Sequence, residues 1–119
     1  MPLIQITHNS KVIDDILIAA LVTALPAPTA QYLTCTEGGQ LSSTDIMIKV
    51  LEFGPFDTNH KDLEVFVFAH LYPSRLEKID EIRRSIQRLL LLFIPNEKVS
   101  WCVWLFLSPT SYGSDTEPE

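Results

Sequence analysis

The sequence predicts an α+β domain in which two βαβ units form one mixed sheet with two helices on one face. Two observations carry this reading. The order strand, helix, strand, strand, helix, strand is the same short plan written twice. The apolar residues switch between a spacing of two, which suits strands, and a spacing of three to four, which suits helices. Right-handed crossovers on a shared sheet, with the halves related by an approximate two-fold, place both helices on the same side. The opposite side of that sheet then lacks cover.

Pro2-Leu3-Ile4-Gln5-Ile6-Thr7 reads as the first strand. Asn9 and Ser10 are good helix caps, and Val12, Ile13, Ile16, Leu17, Ala20, Leu21, Ala24 and Leu25 recur at helical spacing, up to a stop at Pro26 and Pro28. Tyr32 to Thr36 predicts a short strand, and Gly38-Gly39 a turn that lacks the Lys-Ser/Thr of a phosphate loop. Asp45 to Phe53 predicts a strand with Ile46, Ile48 and Val50 on one face and Asp45, Met47, Lys49 and Leu51 on the other. Gly54-Pro55 and the polar run Asp57 to His60 end it. Leu63 to Leu71 is a strand rich in Val and Phe, and Ser74-Arg75-Leu76-Glu77 reads as a capping box opening the second helix. Leu76, Ile79, Ile82, Ile86, Leu89 and Phe93 form its apolar stripe, with Pro95 as the stop. Trp101 to Leu107 is a strand apolar on both faces, with Trp101 and Trp104 on opposite sides. Residues 1–110 make the domain, and 111–119 an acidic tail.

At 119 residues the chain is one domain's worth, and its hydrophobic content of 46% is that of a globular protein. A net charge of −6 argues against nucleic-acid binding and against anionic membranes, both of which need clustered Lys and Arg. Cys35 and Cys102 form neither a disulfide framework nor a metal knuckle, which fits a reducing cytoplasm. The apolar run Ile16 to Leu25, followed by Ala-Pro-Thr-Ala, mimics a signal peptide. Asp14 and Asp15 precede it beside a lone Lys11, and the run is short for a bilayer. No metal or cofactor is expected, because no His, Cys or carboxylate spacing suits one. The strands around Val65 to Ala69 and Trp101 to Leu107 would leave a large apolar patch wet in a monomer, so the chain is expected to form an oligomer through its sheets.

The candidate for chemistry is Pro2. Once Met1 is removed its nitrogen is a secondary amine, and an α-amino group has a reference pKa of roughly 7.7 to 8, close to what a general base needs. Against this, prolines make up about 5% of ordinary sequences, and most near a chain start do nothing chemical. Lys49 reads either as an edge lysine that discourages strand pairing or as a substrate cation. Arg75 reads as a solvated first-turn residue or as a carboxylate binder. His70 reads as a core or interface residue, and His8 and His60 as loop residues. Ser108, Ser111 and Ser114 lack a base at triad spacing.

Met1-Pro2 leading directly into an apolar strand, in a doubled βα chain of this length, resembles the tautomerase superfamily. The run Leu63 to Phe68 and the aromatic strand ending near Tyr112 are similar to small uncharacterised tautomerase-like proteins. The middle section also resembles 5-carboxymethyl-2-hydroxymuconate isomerase, and Lys49 lies in the region of a lysine found in macrophage migration inhibitory factor. The resemblance implies a trimer with the proline at a pocket edge, acting as general base in keto-enol tautomerisation of a small carboxylate-bearing substrate. Lys49 or Arg75 would bind the carboxylate, and Tyr112 would donate a hydrogen bond to an enolate oxygen. The Arg-Pro-Arg turn of malonate semialdehyde decarboxylase is missing, since Pro73 is flanked by Tyr72 and Ser74, which argues against decarboxylation and dehalogenation. A noncatalytic oligomeric binding or structural protein on the same scaffold is the alternative.

Overall fold

Alternation along the two central strands decides which side of the sheet the helices cover. A computed structural model of the chain describes residues 1–94, 98–111 and 113–115. It places β1 (Leu3–His8) between β2 (Met47–Glu52) and β3 (Leu63–His70), with β4 (Trp101–Ser108) outside β3, so the sheet order is β2-β1-β3-β4. β1 runs parallel to β2 and β3 parallel to β4, while the central pair β1 and β3 is antiparallel. In that pair Ile4 faces Val67 and Ile6 faces Val65, and all four are sealed from solvent. They share one core with Leu21 and Leu25 from the first crossover and Ile82, Ile86 and Leu90 from the second. Both crossovers therefore cover the same face, as the doubled pattern predicts.

Each crossover is a pair of helices rather than one. The first contains α1 (Asp15–Ala24) and α2 (Pro26–Leu33). α1 ends ahead of Pro26, as expected, but Pro26 also opens a second helix, because it occupies the first turn of α2, where a missing N–H costs nothing. Asp14, not Asn9 or Ser10, caps α1, its Oδ1 accepting from the Leu17 amide at 3.0 Å. Ile16, included in the predicted stripe, is 80% exposed. Tyr32 to Thr36 is not a strand: Tyr32 and Leu33 end α2, and only an isolated bridge joins Cys35 to Gly39. The second crossover contains α3 (Pro73–Glu77) and α4 (Ile79–Leu91), separated at Lys78. α4 ends at Leu91, ahead of Pro95, which lies outside the described residues. Asp45 belongs to a single 3₁₀ turn, Ser43–Asp45, rather than to β2.

Because α1 and α2 follow one another closely, the apolar stretch is longer than the sequence reading has it. Asp15–Leu33 spans 19 residues with mean hydropathy 1.6, enough by length and composition to cross a bilayer. Such a stretch is also what a core helix looks like. Ile18, Leu21, Leu25, Thr29 and Leu33 are buried at intervals of three to four, which is one helical stripe.

The opposite face of the sheet is bare, and it carries Phe66, Phe68, Trp104 and Phe106 as a run of rings. Phe68 and Phe106 stack with centroids 5.1 Å apart. Met47, Lys49 and Leu51 of β2 continue this face outward.

Truncating Ile86, which is fully buried beneath the sheet, is expected to cost about 2–5 kcal/mol as Ile86→Ala. Leu92→Ala, at a residue 79% exposed, is expected to stay within about 0.5 kcal/mol. Urea unfolding of both variants checks the assignment of the covered face, and equal losses would contradict it.

Candidate active site

The first ladder bond of the sheet positions Pro2. Its carbonyl accepts from the Met47 amide at 2.9 Å, which fixes the residue just outside β1 and beside the start of β2. Pro2 is buried, and it lines a cleft of about 250 Å³ together with Met1, Gly38, Leu41, Asp45, His70, Tyr72 and Arg75. With Met1 attached the Pro2 nitrogen is a tertiary amide, and it becomes a base only when Met1 is gone.

Arg75 is the cation of this cleft, and it is not the solvated residue that a first-turn position suggests. It is 4% exposed. Its Nε donates to the Leu33 carbonyl at 2.8 Å, and its Nη1 to the His70 carbonyl at 2.9 Å. Leu33 ends α2, so a positive group there also complements the helix dipole. The guanidinium lies over the Tyr72 ring, 4.9 Å from its centroid. One side chain therefore ties the end of α2, the end of β3 and the start of α3 around the cleft.

Ser74 does not form the predicted capping box. It lies inside α3, whose cap is Tyr72. Glu37, from the loop after α2, takes over instead: its Oε1 accepts from the Ser74 hydroxyl at 2.5 Å and its Oε2 from the Ser74 amide at 3.2 Å. A capping box does occur earlier in the chain, ahead of β2, where Asp45 Oδ2 accepts from the Ser42 amide at 2.8 Å. That bond fixes the Asp45 carboxylate at the cleft wall. Gly38 is required by close approach, since a Cβ there would lie 2.7 Å from Tyr72 Cε2.

His70 is neither core nor loose. The residue lines the cleft, and its ring lies with its centroid 4.6 Å from that of Tyr72 and its Nδ1 2.9 Å from Thr110 Oγ1 and 3.2 Å from the Thr110 amide. Lys49, by contrast, is exposed on the bare face of β2 opposite Gln5 and does not line the cleft. Tyr112 lies outside the described residues. His8 is not in a loop: it closes β1 with its ring buried and no partner for Nδ1 among the described residues. His60 stacks on Phe53 at 3.7 Å.

The structure thus brings Pro2 and Arg75 together, leaves Lys49 apart, and adds Asp45, His70 and Tyr72. Tyr72 and His70 were legible only as residues at a strand end, because no spacing links them to Pro2, roughly the whole first half of the chain away. Burial pushes the Cys102 thiol up, with the Glu64 carboxylate opposite adding to it, so this cysteine stays protonated and unreactive. No group of three or more metal-ligating side chains occurs among the described residues.

The fold and cleft define a small α+β domain of doubled βαβ plan. No protein-family model matches the chain, and no curated protein matches it. Among solved structures, "Crystal Structure of Native Ps01740" is similar with a TM-score of 0.58, over 95% of this chain and 99% of that one, at 13% identity. That likeness is one of fold.

The Ser74 hydroxyl, followed by further hydrogen bonds, holds the Glu37 carboxyl below its ordinary value of 4.5. The folded chain thus favours the ionised form, and the resulting stabilisation is complete above pH 4.5 and lost as pH falls through the lower folded value. In denaturant titrations, the stability gap between wild type and Glu37→Gln is expected to be constant above that pH and to close in acid. A gap that widens on acidification would contradict the tie.

Proposed function

We propose that the chain, beginning at Pro2 after loss of Met1, is a keto-enol tautomerase or isomerase acting on a small carboxylate-bearing substrate. The observation that carries this is the meeting of Pro2 and the buried Arg75 in one cleft of about 250 Å³, a volume suited to a small acid. The resemblance of the Met-Pro strand start to the tautomerase superfamily supports the same reading. The Pro2 nitrogen takes a proton from the carbon next to a carbonyl, the electron pair moves to the carbonyl oxygen, and the proton is returned at the other end of the enolate. The guanidinium of Arg75 attracts the carboxylate, while Leu41 and the Tyr72 ring limit water at the amine. Lys49 does not line this cleft in the single chain.

A second reading is favoured by a specific observation. Arg75 already donates to two carbonyls, so its part in the cleft is at least as much structural as ligand-binding. A noncatalytic oligomeric protein on this scaffold needs no more than that. Under either reading the aromatic face packs against further copies of the chain in a trimer, and the two free thiols suit the cytoplasm.

Phenylenolpyruvate ketonisation by protein shown by intact-mass measurement to begin at Pro2 is the test. Turnover is expected to fall by about 10²-fold or more in Pro2→Ala and in the same chain retaining Met1. No turnover by the wild type, or equal turnover by all three, would sink the catalytic reading and leave the scaffold one.

Trp104→Lys places a charge amid the exposed rings, where Trp104 is 54% accessible in the single chain. Sedimentation is expected to show an oligomeric wild type and a smaller species for the variant. A monomeric wild type would remove the sheet-packing proposal.

A further inference from the structure

We propose that His70 is the hydrogen-bond donor that polarises the substrate's carbonyl oxygen, an assignment that rests on the tautomerase reading and divides the cleft into two subsites. The argument begins with a backbone group. The Thr110 amide approaches His70 Nδ1 at 3.2 Å, and a backbone N–H can only donate. The Thr110 hydroxyl lies 2.9 Å from the same nitrogen and can donate as well. Both bonds exist together only when Nδ1 is bare. The neutral ring therefore carries its proton on Nε2.

The ring so fixed is a donor and not a base. Nδ1 is occupied by Thr110, which leaves the Nε2–H as the ring nitrogen able to serve a ligand, and His70 is among the residues that line the cleft with Pro2. Contact with the Tyr72 ring, tilted at 57°, restrains it further. Tyr72 brings a phenol to the same cleft, but no contact among the described residues fixes its hydroxyl as Thr110 fixes the His70 ring, and the charged groups are poorly suited to a carbonyl oxygen. Asp45 is an acceptor whose Oδ2 already caps the 3₁₀ turn, and Arg75 has Nε and Nη1 committed to main-chain carbonyls. What remains of the Arg75 guanidinium suits a carboxylate, as a diffuse positive charge.

A substrate with a carboxylate and a carbonyl on neighbouring carbons, a 2-oxo acid or its enol, would meet both groups at once. As Pro2 removes the proton and the C–H electron pair shifts to oxygen, negative charge grows where the Nε2–H points its dipole. His70 keeps its own proton throughout, and the only proton moved is the one Pro2 takes and returns.

The test uses protein beginning at Pro2. With phenylenolpyruvate, His70→Phe is expected to lower kcat on the order of a hundredfold with KM little changed, because the interaction forms mainly in the transition state. His70→Gln, which restores an N–H donor, is expected to recover part of the loss. Nitrogen-resolved NMR of the wild type is expected to show His70 protonated on Nε2, with that resonance moving when phenylpyruvate is added. Wild-type turnover that His70→Phe leaves intact, or a proton found on Nδ1, overturns the assignment. Should the wild type show no turnover, the tautomerase reading alone falls, and the NMR titration decides His70. A moving Nε2–H keeps it as the carbonyl donor, and an unmoved one removes it.

Discussion

The antiparallel pairing of β1 with β3 is the constraint on which the rest of this structure depends. It sets Ile4 against Val67 and Ile6 against Val65 on one side of the sheet, and each of these side chains is sealed from solvent. Side chains alternate strictly along a strand, so a slip of β1 by one residue would send Ile4 and Ile6 to the bare face and bring Gln5 under the helices. With the central pair in register, the parallel partners β2 and β4 can add only at the outside, and both crossovers must return over the same side. The cleft follows from this. Pro2 immediately precedes β1 and His70 ends β3, so antiparallel pairing brings the beginning of one strand to the end of the other.

Arg75 completes what the sheet begins. Burying a guanidinium is tolerable when its donors find acceptors, and here they find the last carbonyl of α2 and the last of β3. Both acceptors are chain ends that would otherwise face a partly buried cleft without a donor. The same residue therefore fastens the corner of the fold and supplies the cleft's positive charge. Two main-chain carbonyls already hold much of this side chain, and His70 and Tyr72 bring further polar side-chain groups to the cleft.

The bare aromatic face and the cleft are separate consequences of one-sided cover. A four-stranded sheet with all its helices on one side must leave the other to water or to another molecule. Phe66, Phe68, Trp104 and Phe106 make the wet alternative costly. Lys49 sits at the margin of that face, where one charge on an edge strand discourages indiscriminate pairing.

Periodicity alone determined the doubled plan, the strands and their order along the chain, because burial on one face writes itself into every second strand residue and every third or fourth helix residue. Pro2 stood out by its place behind Met1 and Arg75 by its place at a helix start, neither by periodicity. Tertiary structure decided what spacing cannot encode. Pro26 opens a second helix directly where the first one ends, since a proline's missing N–H is harmless in a first turn whose position only packing sets. Ser74 is capped by Glu37 from a distant loop and not by Glu77, because a carboxylate brought close by the fold can displace a local partner. Lys49 and Arg75 were both candidate cations in sequence, one within a strand and the other in a helix's first turn, with the solvated reading the stronger one for Arg75. Only the folded chain, by turning one to solvent and the other into the cleft with His70 and Tyr72, separates them.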